Sequence, residues 1–213
     1  MSITVHTSTT TENLVGKSHW WGAPDLPVDM PYPYVVENAG TDDEYADPLT
    51  FICQIRLADI APFDMQRLLP QTGMLYFFAT IDYFLGDFDA PMGDIAHNYN
   101  GERVRVLYVP DGVPLQPYEI CWEGTDESIF RPAEKMEFRQ DTAVSGDGHR
   151  LLAMPYQDEV CDNYPGHVCL LQVDEDDRWH LRFHDCGMLF FLIDRKKLQE
   201  GQWDEVKTEI FTY

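Results

Sequence analysis

The pattern of hydrophobic and polar positions predicts strands joined by irregular segments. Residues 49–56 and 73–82 are apolar on both faces and rich in β-branched and aromatic side chains, which is typical of covered strands. Residues 103–109 and 178–183 alternate apolar and polar positions, as half-buried strands do. Short helical turns are predicted at 57–69 and 132–138, where proline limits their length. A final short helix or strand is expected after residue 198.

The connecting segments differ in composition from these runs. Residues 1–15 are rich in Thr and Ser, and we expect a flexible N-terminal arm. Residues 22–48 are rich in proline and lack Lys and Arg, which predicts an extended, turn-rich segment. Residues 83–102 combine Gly, Pro, Asp and Asn, which predicts a long loop.

The strand pattern occurs twice. Residues 167–174 repeat the character of 49–56, and residues 187–194 repeat that of 73–82. Gln54 then aligns with Gln172, and Gly73 aligns with Gly187. The order and spacing indicate an internal duplication. We therefore expect residues 16–213 to form one domain with two pseudo-repeats, at about 17–82 and 149–194, around a shared core.

The charge of the chain excludes several functions. The 213 residues include 37 Asp and Glu but 15 Lys and Arg, which gives a formal charge of −22. Nucleic-acid binding needs clustered cations, and anionic membranes repel such a chain, so neither partner is expected. The charge instead favours a basic protein partner. The apolar content of 44% is enough for a folded core.

Cysteine use and the N-terminus favour a cytoplasmic protein. The five cysteines are widely spaced and contain no Cys-x-x-Cys pair. Cys53, Cys121 and Cys169 lie in apolar runs, where we expect reduced thiols that pack as small hydrophobic groups. The first residues lack the basic and apolar regions of a secretory signal.

Several blocks of sequence resemble those of YwqG-like proteins. The opening block is KSHWWGAPDLP at 17–27, and others are PLTFICQI at 48–55, LLPQTGMLYFF at 68–78 and HDCGMLFFLI at 184–193. Trp21 stands where that family has the first of two glycines, and Met30 stands where it has Trp. The resemblance implies a bacterial cytoplasmic α+β protein, with a mostly antiparallel sheet and few short helices. It implies no established activity. Such proteins resemble those encoded near toxin–immunity clusters.

The candidate binding residues combine polar strand positions with an aromatic and proline-rich segment. Gln54 and Gln172 are either satisfied core amides or parts of a pocket at the seam between the repeats, and Asp185 is either a turn residue or a site residue. The segment from Trp20 to Tyr34 is either core or a partner-binding surface. The full candidate set is Lys17, Trp20, Trp21, Asp25, Gln54, Gln157, Gln172, His184 and Asp185.

No pattern of residues predicts catalysis or metal binding. The chain has no G-x-S-x-G elbow, P-loop or G-x-G-x-x-G motif. His180 and His184 would be roughly 13 Å apart on a strand, too far for one metal ion. We therefore expect no cofactor. We expect a non-enzymatic protein that binds a basic partner, and neutralising a co-encoded toxin is one form of this function. The alternative is a small-molecule-binding protein or enzyme with a pocket at the repeat seam.

Overall fold

The computed structural model describes residues 1–90, 98–99 and 101–212. In the part of the chain that the structure describes, about 38% is strand and 13% is helical, so the fold is mainly β and the expectation of an α+β class is wrong. The helices are too short to form a layer of their own. They are α1 (Leu57–Ile60), α2 (Asp158–Asn163) and α3 (Arg195–Gln199), with 3₁₀ turns at Asp82–Leu85, Gly101–Arg103, Asp177–Trp179 and Trp203–Glu205.

The strands are mostly antiparallel. In chain order they are β1 (Ser2–Thr9), β2 (His19–Trp20), β3 (Asp25–Pro27), β4 (Tyr34–Glu37), β5 (Tyr45–Pro48), β6 (Thr50–Arg56), β7 (Met74–Ala79), β8 (Asn98–Tyr99), β9 (Val104–Val109), β10 (Leu115–Pro117), β11 (Glu134–Asp141), β12 (Arg150–Leu151), β13 (His167–Asp174), β14 (Met188–Asp194) and β15 (Lys207–Phe211).

The chain divides into two compact units. Unit I comprises residues 6–79 and 105–137, and unit II comprises residues 1–5, 80–104 and 138–213. In unit I the strand order is β11-β2-β6-β7-β9, with separate two-stranded sheets β10-β3 and β4-β5. In unit II the order is β8-β15-β14-β13-β12-β1.

The duplicated sequence forms one matching hairpin in each unit. The β6–β7 hairpin places Gln54 opposite Tyr76, and the β13–β14 hairpin places Gln172 opposite Phe190. Both hairpins have an irregularity at the same point, between Phe51 and Cys53 in unit I and between Cys169 and Leu171 in unit II. The repeat in sequence therefore corresponds to two hairpins with the same register.

The likeness continues into the strand before each hairpin. His19 of β2 lies opposite Gln54, and Arg150 of β12 lies opposite Gln172. The residues that follow, Trp21 and Leu152, are both left-handed, with φ of 53° and 51°. Because non-glycine residues seldom adopt this conformation, its presence at both places marks the same chain reversal in each unit.

Each unit packs an apolar cluster against one face of its hairpin. In unit I the cluster includes the segment before β6 as well as the hairpin, and its members are Leu26, Tyr32, Val35, Leu49, Phe51, Met74, Tyr76, Phe78 and Val109. In unit II the cluster contains Val160, Cys169, Met188, Phe190 and Leu192. The proline-rich segment at 22–48 is extended, and it contributes β3, β4 and β5 to unit I.

Three segments differ from the elements that the sequence predicts. Residues 2–9 form strand β1 where an arm is expected, because Ser2, Ile3 and Val5 are buried. Residues 134–141 form strand β11 where helical turns are expected, and β11 pairs with β2. The predicted strand at 178–183 is a 3₁₀ turn that ends at His180, which is left-handed with φ of 55°. The predicted loop at 83–102 includes residues 91–97 and 100, which lie outside the described residues.

Candidate functional site

Asp25 organises a buried polar network in unit I. Its side chain is buried, and its Oδ2 accepts hydrogen bonds from the Gly16 N–H at 2.8 Å and from Gln54 Nε2 at 2.6 Å. The Asp25 N–H donates to Gln54 Oε1 at 2.8 Å, and Gln54 Nε2 also donates to the Lys17 carbonyl at 2.9 Å. Every polar atom of the Gln54 amide is therefore engaged in holding the 16–25 segment against β6.

His19 faces the same carboxylate. Its Nδ1 lies 2.6 Å from the Trp21 carbonyl oxygen, which only accepts hydrogen bonds, so Nδ1 carries a hydrogen. Its Nε2 lies 3.8 Å from Asp25 Oδ2, and the two side chains are 3% and 2% exposed. Both ring nitrogens thus face oxygen atoms of the same buried network.

Tyr76 closes this network from β7. Its hydroxyl donates to the Asp25 carbonyl at 2.5 Å. Burial raises the pKa of Tyr76 well above its ordinary value, and the nearby charge of Asp25 raises it further. The phenol therefore stays protonated and acts as a donor, which gives it a structural role beside Asp25.

Gln172 holds the equivalent loop in unit II with fewer bonds. Its Nε2 donates to the carbonyls of Gly146 and Gly148 at 2.9 and 2.8 Å. Gln172 Oε1 is buried and has no hydrogen-bond partner among the described residues. In unit I the same atom of Gln54 accepts from Asp25, so the two amides have a shared position but unequal hydrogen bonding.

The loop that Gln172 holds continues into a second polar group. His149 Nδ1 accepts from the Asp174 N–H at 3.0 Å, and its ring stacks on Trp179 with centroids 5.2 Å apart. His149 Nε2 lies 3.9 Å from Asp176 Oδ2, and Arg178 contacts the same carboxylate at 2.6 Å. Burial raises the pKa of Asp176, but the interactions with His149 and Arg178 outweigh it and lower the pKa well below its ordinary value.

Gln157 is buried without partners in unit II. Its side chain is 3% exposed, and neither Nε2 nor Oε1 has a hydrogen-bond partner among the described residues. Counted along the sequence from the left-handed residues Trp21 and Leu152, Gln157 corresponds to Leu26, which packs in the apolar cluster of unit I. A buried amide without hydrogen bonds lowers the stability of the fold by about 1–3 kcal/mol. Gln157 therefore carries a cost that the apolar Leu26 does not.

His184 and Asp185 lie on an exposed loop of unit II. His184 packs edge-on against Phe84 at 5.2 Å and is left-handed, with φ of 59°. Asp185 is exposed and lies 3.9 Å from the Cys186 thiol. Glu175 positions the loop, since its Oε1 accepts from the N–H groups of Phe183 and Gly187 at 3.1 Å each.

The remaining candidates belong to unit I. Trp20 and Trp21 are buried, with rings 6.2 Å apart, so they are core residues and not part of an exposed binding surface. The Lys17 side chain is about half exposed and pairs with Glu12 at 3.5 Å. Asp25 and Gln54 therefore come together with the Lys17 backbone in unit I, whereas Gln157, Gln172, His184 and Asp185 belong to unit II.

Unit I exposes aromatic side chains on two acidic hairpins. The first is the β4–β5 hairpin, where Tyr34, Val36 and Tyr45 are 43%, 42% and 43% exposed. The second is the 118–130 hairpin, where Trp122 is 57% exposed and the Trp122 N–H donates to the Glu127 carbonyl at 2.9 Å. We refer to the exposed residues of both hairpins as the acidic–aromatic surface.

Both hairpins pack on the buried ring of Tyr32. Its centroid lies 5.8 Å from Tyr34, 5.5 Å from Tyr118 and 5.9 Å from Phe130. Burial, and then the proximity of Tyr118, raise the pKa of Tyr34. The sequence predicted a role for the segment that ends at Tyr34 but not for Trp122. The feature that could have indicated Trp122 is a large aromatic residue surrounded by acids in the sequence.

The cysteines are all free thiols. Cys53 and Cys169 are buried, and burial raises the pKa of each. Cys121 is exposed, so the expectation that it packs in the core is wrong, because it lies in a turn whose residues 121–128 are all exposed. Across residues 1–90, 98–99 and 101–212, no group of three His, Cys, Asp or Glu side chains is placed to hold a metal ion. Within those ranges no helix combines the length and apolar character that a membrane span requires.

Part of the chain matches a known protein family. Residues 18–150 match the model of a family described as a domain of unknown function (DUF1963). No curated protein matches the chain. The matched residues include the Asp25, Gln54 and Tyr76 side chains, the β6–β7 hairpin and both hairpins of the acidic–aromatic surface, and they end where β12 begins.

Proposed function

Because the chain belongs to the DUF1963 family, whose function is unknown, we propose that it is a YwqG-like bacterial cytoplasmic protein that binds a basic protein partner without catalysing a reaction. Neutralising a co-encoded toxin is one form of this function. The proposal is carried by a single observation: acids and exposed apolar side chains occur together on unit I in segments that lack cations.

The distribution of charge supports a basic partner. No Lys or Arg occurs between Lys17 and Arg56, or between Arg105 and Arg131, and these two gaps contain 7 and 5 acids. Both gaps lie in unit I, and they contain the two hairpins of the acidic–aromatic surface. Such a surface attracts a basic protein over distances of about 8–10 Å at physiological salt, which speeds association and excludes acidic partners.

The buried polar residues support a structural role for most of the candidate site. Asp25, Gln54 and Tyr76 satisfy one another inside unit I, so their hydrogen-bonding capacity is used in holding the loop before β6. Gln172 holds the corresponding loop of unit II. These residues stabilise the two hairpins, whereas the exposed side chains of unit I remain available for contacts with another protein.

A binding experiment with charge variants tests the proposal. The full chain is used to capture a protein from its own cells, and the captured protein is purified and titrated by calorimetry at low and physiological salt. We expect a basic partner whose Kd increases with salt. Replacing the exposed acids of the first hairpin, as Asp42→Asn, Asp43→Asn and Glu44→Gln, should weaken binding further.

The control removes equal charge from unit II through Asp158→Asn, Glu159→Gln and Asp162→Asn, all exposed positions. This control should bind like the unmodified chain. The proposal fails if no purified protein binds, if binding is insensitive to salt, or if the two triple variants lose the same affinity.

A second candidate function is the binding of a small polar molecule in unit II. The observation that favours it is the buried Gln157 amide, which has both a donor and an acceptor without partners among the described residues. A thermal-shift screen of small amides and carboxylic acids tests this candidate. A ligand whose stabilisation disappears in Gln157→Leu supports it. No stabilising compound, together with a higher melting temperature for Gln157→Leu, counts against it.

A further inference from the structure

We propose that the acidic–aromatic surface recognises arginine side chains of the basic partner, with Tyr34 and Trp122 as aromatic platforms and the exposed acids of the same two hairpins as counter-charges. This inference rests on the proposed function, since it specifies the chemistry of the same interaction. It names one occupant, an arginine-bearing segment of a basic protein.

Two aromatic platforms are available for such a segment. Trp122 is 57% exposed and Tyr34 is 43% exposed, although large aromatic side chains are usually more buried than this. Trp and Tyr are also the side chains that most often anchor protein interfaces. Their exposure on separate hairpins of one unit suits a partner that presents more than one contact residue.

The hairpins hold these platforms in place before binding. In the first, the Gly40 N–H donates to Glu44 Oε2 at 2.7 Å, and the Thr41 N–H donates to the Asn38 carbonyl at 3.1 Å. In the second, the Ile129 N–H donates to the Ile120 carbonyl at 2.9 Å, and the backbones of Cys121 and Ser128 form an antiparallel β-bridge. An ordered hairpin loses less conformational entropy on binding than a flexible loop does.

The exposed acids of both hairpins favour a cationic partner. Asp42, Asp43 and Glu44 are exposed in the first hairpin, and Glu119, Glu123, Asp126 and Glu127 are exposed in the second. A guanidinium can stack flat on an aromatic ring and at the same time donate hydrogen bonds to a carboxylate. A lysine ammonium is more strongly hydrated and lacks the flat face, so these two features together select arginine over lysine.

The test compares two oligopeptides of equal length, one of arginine and one of lysine, titrated by calorimetry into the full chain. We expect the arginine peptide to bind more tightly. The double variant Tyr34→Ala/Trp122→Ala should weaken its binding about 4- to 25-fold, since each exposed cation–π contact is worth about 2- to 5-fold. The same variant should bring the two peptides close to equal affinity.

A matched control keeps the result specific. Tyr156 is 41% exposed in unit II, close to the exposure of Tyr34, and Tyr156→Ala should leave the affinity for both peptides unchanged. A measurement on the unmodified chain guards against misfolding of the variant. In ¹H–¹⁵N spectra the indole N–H signal of Trp122, assigned with Trp122→Phe, should shift with the arginine peptide more than with the lysine peptide.

The outcomes separate this inference from the proposed function. Equal, salt-sensitive affinity for both peptides, unaffected by the double variant, overturns arginine recognition but leaves electrostatic binding of a basic partner intact. Absence of binding to either peptide at low salt contradicts both. The inference is also overturned if Tyr156→Ala weakens binding of the arginine peptide as much as Tyr34→Ala/Trp122→Ala does.

Discussion

The unequal bonding of the two repeated glutamines gives a quantitative prediction. Gln54→Leu and Gln172→Leu introduce the same apolar side chain at equivalent positions of the two hairpins. Gln54 loses three hydrogen bonds, one of them to the buried carboxylate of Asp25, whereas Gln172 loses two bonds to the carbonyls of Gly146 and Gly148. The first substitution should therefore be the more damaging.

The magnitudes follow from the partners. Two neutral bonds at about 0.5–1.5 kcal/mol each and one charged bond at about 1.5–3 kcal/mol give a loss of about 2.5–6 kcal/mol for Gln54→Leu. Two neutral bonds give about 1–3 kcal/mol for Gln172→Leu, and removal of the unpaired Oε1 offsets part of this loss. We expect a net cost below about 2 kcal/mol for the second variant.

Urea unfolding followed by tryptophan fluorescence measures both free energies, provided that the slope with denaturant stays constant. Gln116→Leu is the control, because Gln116 is exposed in unit I, and it should change stability by less than about 0.5 kcal/mol. The reasoning is refuted if Gln172→Leu lowers the free energy of unfolding as much as Gln54→Leu does. The number of hydrogen bonds made by each amide would then not determine how much it stabilises the fold.

Three further predictions concern acid stability, backbone packing and thiol access. The pKa of Asp176 is lower in the folded chain than in the unfolded chain, so its ionised carboxylate stabilises the fold. This stabilisation is fully present above the ordinary aspartate pKa of about 3.9 and is lost as pH falls further. Urea midpoints measured between neutral and acid pH should therefore decline less in Asp176→Asn than in the unmodified chain, and an equal decline would contradict this. A Cβ at Gly187 would overlap the Phe183 carbonyl oxygen, so Gly187→Ala should lower the free energy of unfolding by at least about 2 kcal/mol in the same urea assay, and an unchanged midpoint would count against the packing described. A thiol reagent should modify the exposed Cys121 and Cys186 quickly in the folded protein, and a fast phase that persists in Cys121→Ser/Cys186→Ser would show that other thiols are accessible.

Apolar periodicity and repetition predicted the two hairpins well. The run at 49–56 contains β6, and the repeat placed Gln54 and Gln172 at equivalent positions, because strands buried on both faces leave a strong and local signal. The helical turns predicted at 132–138 were wrong, since pairing of β11 with β2 decides the conformation there and local propensity does not.

The polar network was only partly predictable. Asp25 and Gln54 were both candidates, but their contact depends on the left-handed residue Trp21, which turns the chain before β3. Trp122 lies in a turn whose residues 121–128 are all exposed, and no local sequence pattern predicts that exposure. The sequence therefore indicated residue types well and burial poorly.

Hydrogen–deuterium exchange of the full chain, alone and with its purified basic partner, tests the central claim most directly. The account predicts that binding slows exchange at residues 34–45 and 119–128 of unit I and leaves the loops of unit II unchanged. Slower exchange confined to residues 143–163 of unit II, with unchanged exchange in both hairpins, would contradict it.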